Sequence, residues 1–331
     1  MLHPSQKPSF SSVSENVQAE LQQLEQTLTT MLQDMPSPIK EVSQHLVHSG
    51  GKRIRPTLLF LCTKLLGPVT PKHLDAAACI ELIHNATLLH DDVIDSSDVR
   101  RGKPTAHTVW SQHHSILSGD FLLCKALETL SHIEDWPTLR LIHASACDVI
   151  IGQTKELMET NLPIGAQKEH YLDVIRLKTA SLFETSATLP CLLSSAENLK
   201  DAFKTFGYHV GMCFQLVDDF LDYQGTQERT GKAPGQDFRE GKVTLPLILA
   251  YQESTPQEQM FLENIFSAPK KQEKDFEDVL ALLEKKKAFQ KTRETINAHI
   301  TGAEKTLSSL PNLPLKDKIL EVIFAIQGQL S

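Results

Sequence analysis

The segment FQLVDDFLDY at residues 214–223 repeats the carboxylate spacing of LLHDDVID at residues 88–95. The acids at positions i, i+1 and i+4 are Asp91, Asp92 and Asp95 in the first copy and Asp218, Asp219 and Asp222 in the second. Residues four apart share one face of an α-helix, so each segment, if helical, presents acids one turn apart. Such acids repel one another unless cations lie between them, and hard oxygen donors that bridge to phosphate favour Mg²⁺. The repeat predicts two acidic helix faces directed at a shared, metal-bound polyanion.

Apolar residues recur at three- and four-residue spacing over most of the chain, which predicts helices. The expected helical segments are Val17–Leu32, Leu74–Ser96, Phe121–Ile133, Arg140–Thr160, Lys168–Ala187, Ala202–Tyr223, Phe276–Leu307 and Asp317–Gln327. The alternation typical of strands is absent, and no low-complexity linker divides the chain. We therefore expect a single all-α domain over residues 16–331, preceded by a flexible, Ser-rich N-terminal arm over residues 1–15.

The composition is that of a globular protein, with 40% hydrophobic and 22% charged residues and a mean hydropathy of −0.21. No apolar run reaches the length of a membrane span, and the N-terminus lacks a basic-then-apolar signal. The net charge of −8 argues against nucleic-acid binding. The six cysteines are scattered without a CxxC pair, which predicts reduced thiols and a cytoplasmic location.

Basic side chains and a histidine accompany the first acidic motif. His84 stands seven residues before Asp91, on the same helix face, where it can donate to a phosphate oxygen or be an ordinary core histidine. Arg100 and Arg101 follow the motif in a turn that continues as GKP. Because guanidinium groups match phosphate through paired hydrogen bonds, we interpret this pair as a phosphate clamp rather than a solvated basic loop.

Two further segments carry candidate anion ligands. GGKRIRP at residues 50–56 combines two glycines with Lys52 and Arg55, but it contains no GxxxxGK[ST] pattern and is not a nucleotide-binding P-loop. Lys232 and Lys242, beyond the second acidic motif, can fold over a diphosphate, although each alone is more simply a surface lysine. Lys178 and Thr179 are weaker candidates of the same kind, and Gln215 is interpreted as a neutral hydrogen-bonding residue on the substrate side.

Two glycines lie on the helix face that carries the second acidic motif. Gly207 and Gly211 precede Gln215 and Asp218 at helical spacing. Each glycine in a helix interior costs up to about 1 kcal/mol relative to alanine. We expect close approach of a neighbouring helix or of ligand to compensate for this cost.

The chain resembles the trans-prenyl diphosphate synthases, the family that joins isoprene units head to tail. The resemblance covers about Gly50 to Leu249 and rests on GGKRIRP, LLHDDVIDSSDVRRGKPTAH, GDFLL, KTASLFE, FQLVDDFLDY and GKAPGQDFREGKVTLPL, in the family's order. It implies a large all-α bundle of roughly a dozen helices around a deep central cavity, usually in a homodimer. The substrates it implies are an allylic diphosphate, such as farnesyl diphosphate, and isopentenyl diphosphate.

The resemblance also implies roles for individual residues. Three Mg²⁺ ions would bridge the allylic diphosphate to the acids, with Asp91, Asp95 and Asp218 as the principal ligands and Asp92, Asp219 and Asp222 in support. The allylic diphosphate would be held by Arg100, Lys178 and Lys242, with Thr179, Gln215 and Lys232 nearby, and the two lysines 178 and 242 would act with the acids in catalysis. The diphosphate of isopentenyl diphosphate would be held by Lys52, Arg55, His84 and Arg101.

The reaction that the resemblance implies needs no side-chain nucleophile. Metal ions and basic side chains take up the charge of the departing diphosphate, which leaves an allylic carbocation. The double bond of isopentenyl diphosphate attacks that cation and a proton is then lost, while the protein excludes water. We expect a long all-trans polyprenyl chain as the product, for the tail of ubiquinone or menaquinone, and peripheral membrane contact when it is released.

Small residues before the first acidic motif favour the long product. In the resembled family, bulk at this place blocks the cavity and keeps products short. Here the fifth and fourth residues before Asp91 are Ala86 and Thr87, with Ile83 one turn deeper. Residues after Gly119-Asp120 are expected to line or close the cavity, namely Phe121, Leu122 and Lys125.

Three alternatives remain open. A short-chain synthase making farnesyl or geranylgeranyl diphosphate would share every motif. A class I terpene cyclase would usually replace the second acidic motif and lack GGKRIRP. A non-catalytic regulatory subunit would typically lose acids, whereas this chain keeps all six.

Overall fold

A computed structural model describes residues 8–33, 35–47, 51–100, 102–158, 163–225, 234–268, 270–311 and 315–330. Two of the predicted phosphate ligands, Arg101 and Lys232, lie outside the described residues.

The described chain is almost entirely helical, as the apolar spacing predicts. The α-helices are α1 (Phe10–Ser14), α2 (Gln18–Met31), α3 (Ile39–Val47), α4 (Ile54–Leu66), α5 (Pro71–Ile94), α6 (Ala106–Val109), α7 (Gln112–Ile133), α8 (Trp136–Met158), α9 (Gln167–Ile175), α10 (Ser181–Leu193), α11 (Lys200–Gln224), α12 (Gln236–Glu240), α13 (Leu245–Gln252), α14 (Pro256–Ser267), α15 (Glu273–Lys285), α16 (Ala288–Ser308) and α17 (Lys316–Gly328). Short 3₁₀ turns cover Glu15–Val17, Ile164–Ala166 and Glu197–Leu199. A π-helical turn, Arg176–Ala180, joins α9 to α10.

The core forms where the long helices pack side by side. Helix α5 lies against α7, α10 lies between α4 and α11, and α11 also packs on α16. Helices α4 and α10 are buried along most of their length, which explains why their sequences are apolar nearly all round. No helix in the described part of the chain has both the length and the apolarity needed to cross a membrane.

The structure corrects the expected elements at three places. The segment Phe276–Leu307 is two helices rather than one, because Lys287 adopts a left-handed conformation with φ of 56°. The turn after the first acidic motif is a small antiparallel hairpin, in which Val99–Arg100 pairs with Lys103–Pro104. Helix α1 begins at Phe10, inside the segment expected to be an arm, and its Val13 is buried; residues 1–7 lie outside the described part.

The glycines of the second acidic helix face a neighbouring helix, as expected. A Cβ at Gly211 would lie 2.5 Å from the Cα of Ala180, and one at Gly207 would lie 2.6 Å from the carbonyl oxygen of Phe183. Glycine therefore lets α11 approach the π-helical turn and the start of α10 more closely than any side chain would allow. This contact fixes the position of the residues just before Ala180.

We predict that Gly211→Ala destabilises the protein although alanine is the better helix former. The new methyl group must displace the backbone at Ala180, which costs about 1–3 kcal/mol and outweighs a propensity gain of up to about 1 kcal/mol. Urea unfolding of both proteins measures the difference in their free energies of unfolding. Gly67→Ala is the control, since nothing lies within 4 Å of its added Cβ. Equal stability of Gly211→Ala and wild type would contradict the close-packing argument.

Candidate active site

Each carboxylate of the first acidic motif lies against a different basic side chain. Asp91 and Asp92 occupy the last turn of α5, and Asp95 is its C-cap residue. The shortest distances to the bases are 3.6 Å from Asp91 Oδ2 to Lys178 Nζ, 2.7 Å from Asp92 Oδ1 to Arg100 Nε, and 3.3 Å from Asp95 Oδ2 to Lys242 Nζ. Asp92 is buried, whereas Asp91 and Asp95 are half-buried. The motif thus has two acids that a ligand can reach and one that anchors Arg100.

The acids of the second motif differ in their surroundings. Asp219 is buried and accepts hydrogen bonds from the Tyr171 hydroxyl and from Gln215 Nε2, the latter at 2.8 Å. Gln215 in turn accepts from the Thr179 hydroxyl at 2.7 Å. Asp218 is exposed. A buried acid that two donors hold in place thus stands beside one that is open to ligand.

Asp222 ties the second motif to the following loop. Its side chain accepts the backbone N–H groups of Gln236 at 3.1 Å and Asp237 at 3.0 Å, the first residues of α12. Its carbonyl oxygen accepts the N–H of Gly235 at 2.7 Å. Because α12 leads directly to Lys242, the carboxylate of Asp222 sets where that lysine lies.

Lys178 and Lys242 bring the two acidic motifs to one cleft. Lys242 contacts Asp95 of the first motif, lies 2.9 Å from Glu240, and is attracted by Asp237 beside the second motif. Lys178 contacts Asp91 and lies next to Thr179, which is linked through Gln215 to Asp219. Two helices far apart in sequence therefore border one cleft. The first contacts both ammonium groups directly, and the second is connected to them through Asp237 and through Gln215 and Thr179.

Burial and crowding make the negative charge of this cleft costly. Burial raises the pKa of Asp219 to about 7, and Asp218 and Asp222 add to this effect against the opposing hydrogen bonds from Tyr171 and Gln215. Burial also raises the pKa of Asp91, which the ammonium of Lys178 partly offsets. Burial lowers the pKa of Lys242, but nearby carboxylates outweigh it and raise that pKa above its ordinary value. The cleft stabilises added positive charge more than added negative charge.

The oxygen donors of the cleft suit a hard divalent cation. Asp91, Asp95 and Asp218 are carboxylates that remain partly or fully accessible. Among the described residues, no group of three or more His, Cys, Asp or Glu side chains already surrounds one metal position. Mg²⁺ is commonly held by one or two carboxylates, with the remaining ligands from water and substrate phosphates. The residues fit an ion that arrives with a phosphate-bearing substrate better than a cage made of protein alone.

The π-helical turn delivers Lys178 and Thr179 to the cleft. It packs against two helices that approach it through glycines, Gly211 of α11 and Gly152 of α8. A Cβ at Gly152 would lie 2.5 Å from the backbone nitrogen of Lys178. Extra residues inserted into a helix as a π turn are frequent at functional sites. Sequence periodicity gave no sign of this turn, since Lys168–Ala187 simply appeared helical.

Three further acidic or phenolic side chains of the cleft were not predicted from the sequence. Glu156 on α8 contacts the Lys178 ammonium, and its charge also acts on Asp91 and Lys242. Tyr171 on α9 donates to Asp219. Asp237 on α12 is half-buried and lies close enough to the acids of the second motif to interact with them electrostatically. Only the tertiary packing of α8, α9 and α12 near the acidic helices shows these roles.

The predicted ligands at the start of α4 lie among other elements of the fold. Lys52 Nζ is 2.5 Å from Gln329 Oε1 and 4.9 Å from the ring centroid of Phe10. The Arg55 guanidinium lies 4.7 Å from the ring centroid of Phe183 at the start of α10. His84 is half-buried on α5, about two turns before Asp91.

The residues expected to control product length are mostly interior. Ala86 is fully buried, Ile83 is 4% exposed, and the hydroxyl of Thr87 donates to the carbonyl oxygen of His84 at 2.7 Å. On α7, Leu122 is buried and Phe121 is half-buried, and Lys125 pairs with Glu128 at 2.6 Å. Added bulk at Ala86 would therefore have to enter the interior of the bundle.

Two acidic helices border a cleft that contains basic side chains, and comparison with known proteins gives the family. The family model described as polyprenyl synthetase matches residues 36–283. The octaprenyl diphosphate synthase of Escherichia coli (strain K12) is 33% identical over 283 residues, which are 85% of this chain and 87% of that protein. A short chain isoprenyl diphosphate synthase of Methanocaldococcus jannaschii is 39% identical over 236 residues, 70% of this chain and 71% of that protein.

The solved structures agree with the sequence relatives. A polyprenyl synthase from Caulobacter crescentus CB15, crystallised with calcium and isoprenyl diphosphate, superposes with a TM-score of 0.91 at 31% identity and covers 98% of both chains. The chain belongs to the polyprenyl synthetase family and is a prenyltransferase with the family's all-α isoprenoid synthase fold.

We predict that Glu156→Gln strengthens binding of diphosphate. In the free protein Glu156 neutralises Lys178, and an entering diphosphate must compete with it for that ammonium group. The neutral amide keeps the size of the side chain but removes the competing charge, so affinity should rise about three- to tenfold. Calorimetric titration with inorganic diphosphate and Mg²⁺ measures this effect. Glu258→Gln, in a surface ion pair on α14, is the matched control. Unchanged or weaker binding in Glu156→Gln would refute the competition.

Proposed function

We propose that the protein makes a long-chain all-trans polyprenyl diphosphate by adding isopentenyl diphosphate repeatedly to an allylic primer such as farnesyl diphosphate. The observation that carries this proposal is the cleft in which the first acidic motif contacts Lys178 and Lys242 while the second lies beside Asp237 and the Thr179–Gln215 link. Such a cleft fits a diphosphate that brings metal ions with it, which is the leaving group of prenyl transfer.

The acids are assigned to the metal ions and the bases to the allylic diphosphate. Asp91, Asp95 and Asp218 would hold Mg²⁺ directly, with Asp92, Asp219 and Asp222 in support. Bound Mg²⁺, which the family resemblance puts at three ions, would act as a Lewis acid on the diphosphate oxygens. Lys178, Lys242 and Arg100 orient the diphosphate and stabilise the charge that develops as it leaves, with Thr179, Gln215 and Lys232 around them.

The second substrate is assigned to basic residues at the start of α4, on α5 and after the first acidic motif. Lys52, Arg55, His84 and Arg101 would hold the diphosphate of isopentenyl diphosphate. Its double bond is then directed at the allylic carbon, and the departed diphosphate is the base nearest to the proton that must be lost. Helix α10 packs on both α5 and α11, and this packing would keep water from capturing the cation.

The length of the product is proposed to depend on the space beside the residues of α5 that precede the first acidic motif. Ala86 is small and buried, and the relatives include an octaprenyl diphosphate synthase, so a chain of that order is proposed. The quinones ubiquinone and menaquinone carry tails of this kind. The alternative is a short-chain product, which the similarity to the Methanocaldococcus enzyme favours. Sizing the product by chromatography after dephosphorylation separates the two.

A homodimer in the cytoplasm is the proposed form of the enzyme. Helices α7 and α8 expose a row of large apolar side chains, namely Ile116, Leu117, Leu127, Ile150 and Ile151. A second copy of the chain would cover such a face, since exposed apolar rows of this size mark interaction surfaces. Peripheral contact with a membrane would then serve release of the apolar product.

We predict that Asp91→Ala and Asp218→Ala each abolish turnover while helicity stays unchanged. These acids supply charge to the cleft rather than packing to the core, so removing one should lower kcat about a thousandfold or more. The assay is diphosphate release from farnesyl and isopentenyl diphosphates with Mg²⁺, alongside circular dichroism. Asp75→Ala, near the opposite end of α5, is the control. Rates near wild type in either motif variant would defeat the assignment.

We predict that Ala86→Phe shortens the product. An aromatic ring in place of the buried methyl group takes up space along α5 where the growing chain must pass. The measurement is the distribution of chain lengths from wild type, Ala86→Phe and the size-conserving control Ala86→Ser. If the phenylalanine variant makes the same products as wild type, Ala86 does not line the path of the chain.

A further inference from the structure

Arg53, the residue between the predicted ligands Lys52 and Arg55, faces away from the cleft and into an ion-pair network. Its Nε lies 2.6 Å from Glu25 Oε1 and its Nη2 lies 3.2 Å from Glu25 Oε2 on α2. Its Nη1 lies 2.5 Å from Glu81 Oε2 on α5. The guanidinium therefore connects the start of α4 to two other helices at once.

This network is interior rather than a surface ion pair. The side chain of Arg53 is 13% exposed and that of Glu81 is 4% exposed, while Glu25 is 42% exposed. Burial lowers the pKa of Arg53, but the two carboxylates outweigh it and raise that pKa above its ordinary value. A buried charge whose partners are fixed in this way holds its geometry closely, because breaking it would leave the remaining charge unpaired.

The backbone at Arg53 needs this support. Its φ is 45°, in the left-handed region that residues with a side chain rarely adopt, and it is the N-cap of α4. Its carbonyl oxygen accepts the N–H of Thr57 at 2.9 Å and so begins the helix. Strained backbone of this kind persists where surrounding contacts determine it, and it often accompanies binding sites.

The network also joins the two halves of the predicted isopentenyl diphosphate subsite. Glu81 stands one turn before His84 on the same helix, and its carbonyl oxygen accepts the side-chain amide of Asn85 at 2.8 Å. Lys52 and Arg55 flank Arg53 on the other side. Rotation of the α4 start relative to α5 would therefore separate Lys52 and Arg55 from His84, and the Arg53–Glu81 pair prevents it.

We infer that Arg53, clamped by Glu25 and Glu81, is a positioning residue for isopentenyl diphosphate, which it does not touch. The inference rests on the proposed function, since it assumes that Lys52, Arg55 and His84 bind that substrate. Two features distinguish Arg53 from a direct ligand: its guanidinium is committed to two carboxylates, and its side chain is turned into the protein.

The test is steady-state kinetics of Arg53→Gln, Arg53→Lys and Glu25→Gln with each substrate varied in turn. We expect Arg53→Gln to raise the KM for isopentenyl diphosphate about tenfold or more, with less than about a twofold change in the KM for farnesyl diphosphate. The KM of Arg53→Lys for isopentenyl diphosphate should lie between those of wild type and Arg53→Gln, because one ammonium group cannot bridge both carboxylates as a guanidinium does. Glu25→Gln removes the half-exposed partner only, so it should fold even if Arg53→Gln does not, and raise the same KM by about threefold.

The matched control is Lys64→Gln. Lys64 joins the other end of α4 to Glu20 of α2 at 2.8 Å, so it links the same two helices away from the subsite. We expect no change in the KM for isopentenyl diphosphate in this variant. An equal rise in Lys64→Gln and Arg53→Gln, or equal rises for both substrates, would show general loosening of the fold and overturn the inference. A wild-type KM for isopentenyl diphosphate in both Arg53→Gln and Glu25→Gln would also overturn it.

Lys52→Ala distinguishes failure of this inference from failure of the proposed function. If Lys52→Ala raises the KM for isopentenyl diphosphate and the Arg53 variants do not, the subsite stands and the positioning role is wrong. If Lys52→Ala has no effect on that KM, the subsite itself is misassigned, and the positioning inference falls with it.

Discussion

The charge balance between the acids of one cleft and two half-buried lysines is the constraint on which the rest of the structure depends. Asp91 and Asp95 approach Lys178 and Lys242. Lys242 is also attracted by Asp237 in the segment after α11. The carboxylates in this cleft outnumber the described bases around them, so free protein stores electrostatic repulsion. The proposed metal-bound diphosphate would relieve that repulsion, with its cations at the acids and its oxygens at the lysines and Arg100.

The fold supplies the close packing that this balance requires. Gly152 and Gly211 let α8 and α11 approach the π-helical turn from both sides, which leaves Lys178 and Thr179 no freedom to withdraw from the cleft. Asp222 holds the start of α12 through two backbone N–H groups and so fixes the segment that carries Lys242. Asp222 therefore has a structural task in addition to the metal-supporting role proposed for it.

The sequence predicted the all-α fold and most of the cleft because both depend on local spacing. Helical periodicity and the two acidic repeats place Asp91, Asp95, Asp218 and Asp222 on helix faces without any tertiary information. The break at Lys287 was missed because a single left-handed residue leaves the apolar period almost unchanged. Glu156 and Tyr171 were missed for another reason. Each lies in an ordinary helical pattern, and only long-range packing brings it to Lys178 or Asp219.

The basic segment GGKRIRP also shows which features local spacing predicts and which depend on tertiary packing. Lys52 and Arg55 were selected from GGKRIRP for their charge, whereas the structure gives Arg53, an equally charged neighbour, a different set of partners. Charge and spacing identify a basic segment, but they do not show which of its side chains turns inward. That distinction depends on Glu25 and Glu81, which come from helices that precede and follow the segment in the chain.

A double-mutant cycle on binding tests whether both acidic motifs act on one metal-bound diphosphate. Inorganic diphosphate is titrated by calorimetry, with and without Mg²⁺, into wild type, Asp95→Ala, Asp222→Ala and the double variant. We expect binding that requires Mg²⁺, with losses in the single variants that do not add in the double variant, because both acids act on the same bound complex. Mg²⁺-independent binding, or losses that add as for two separate sites, would show that the motifs do not share one ligand.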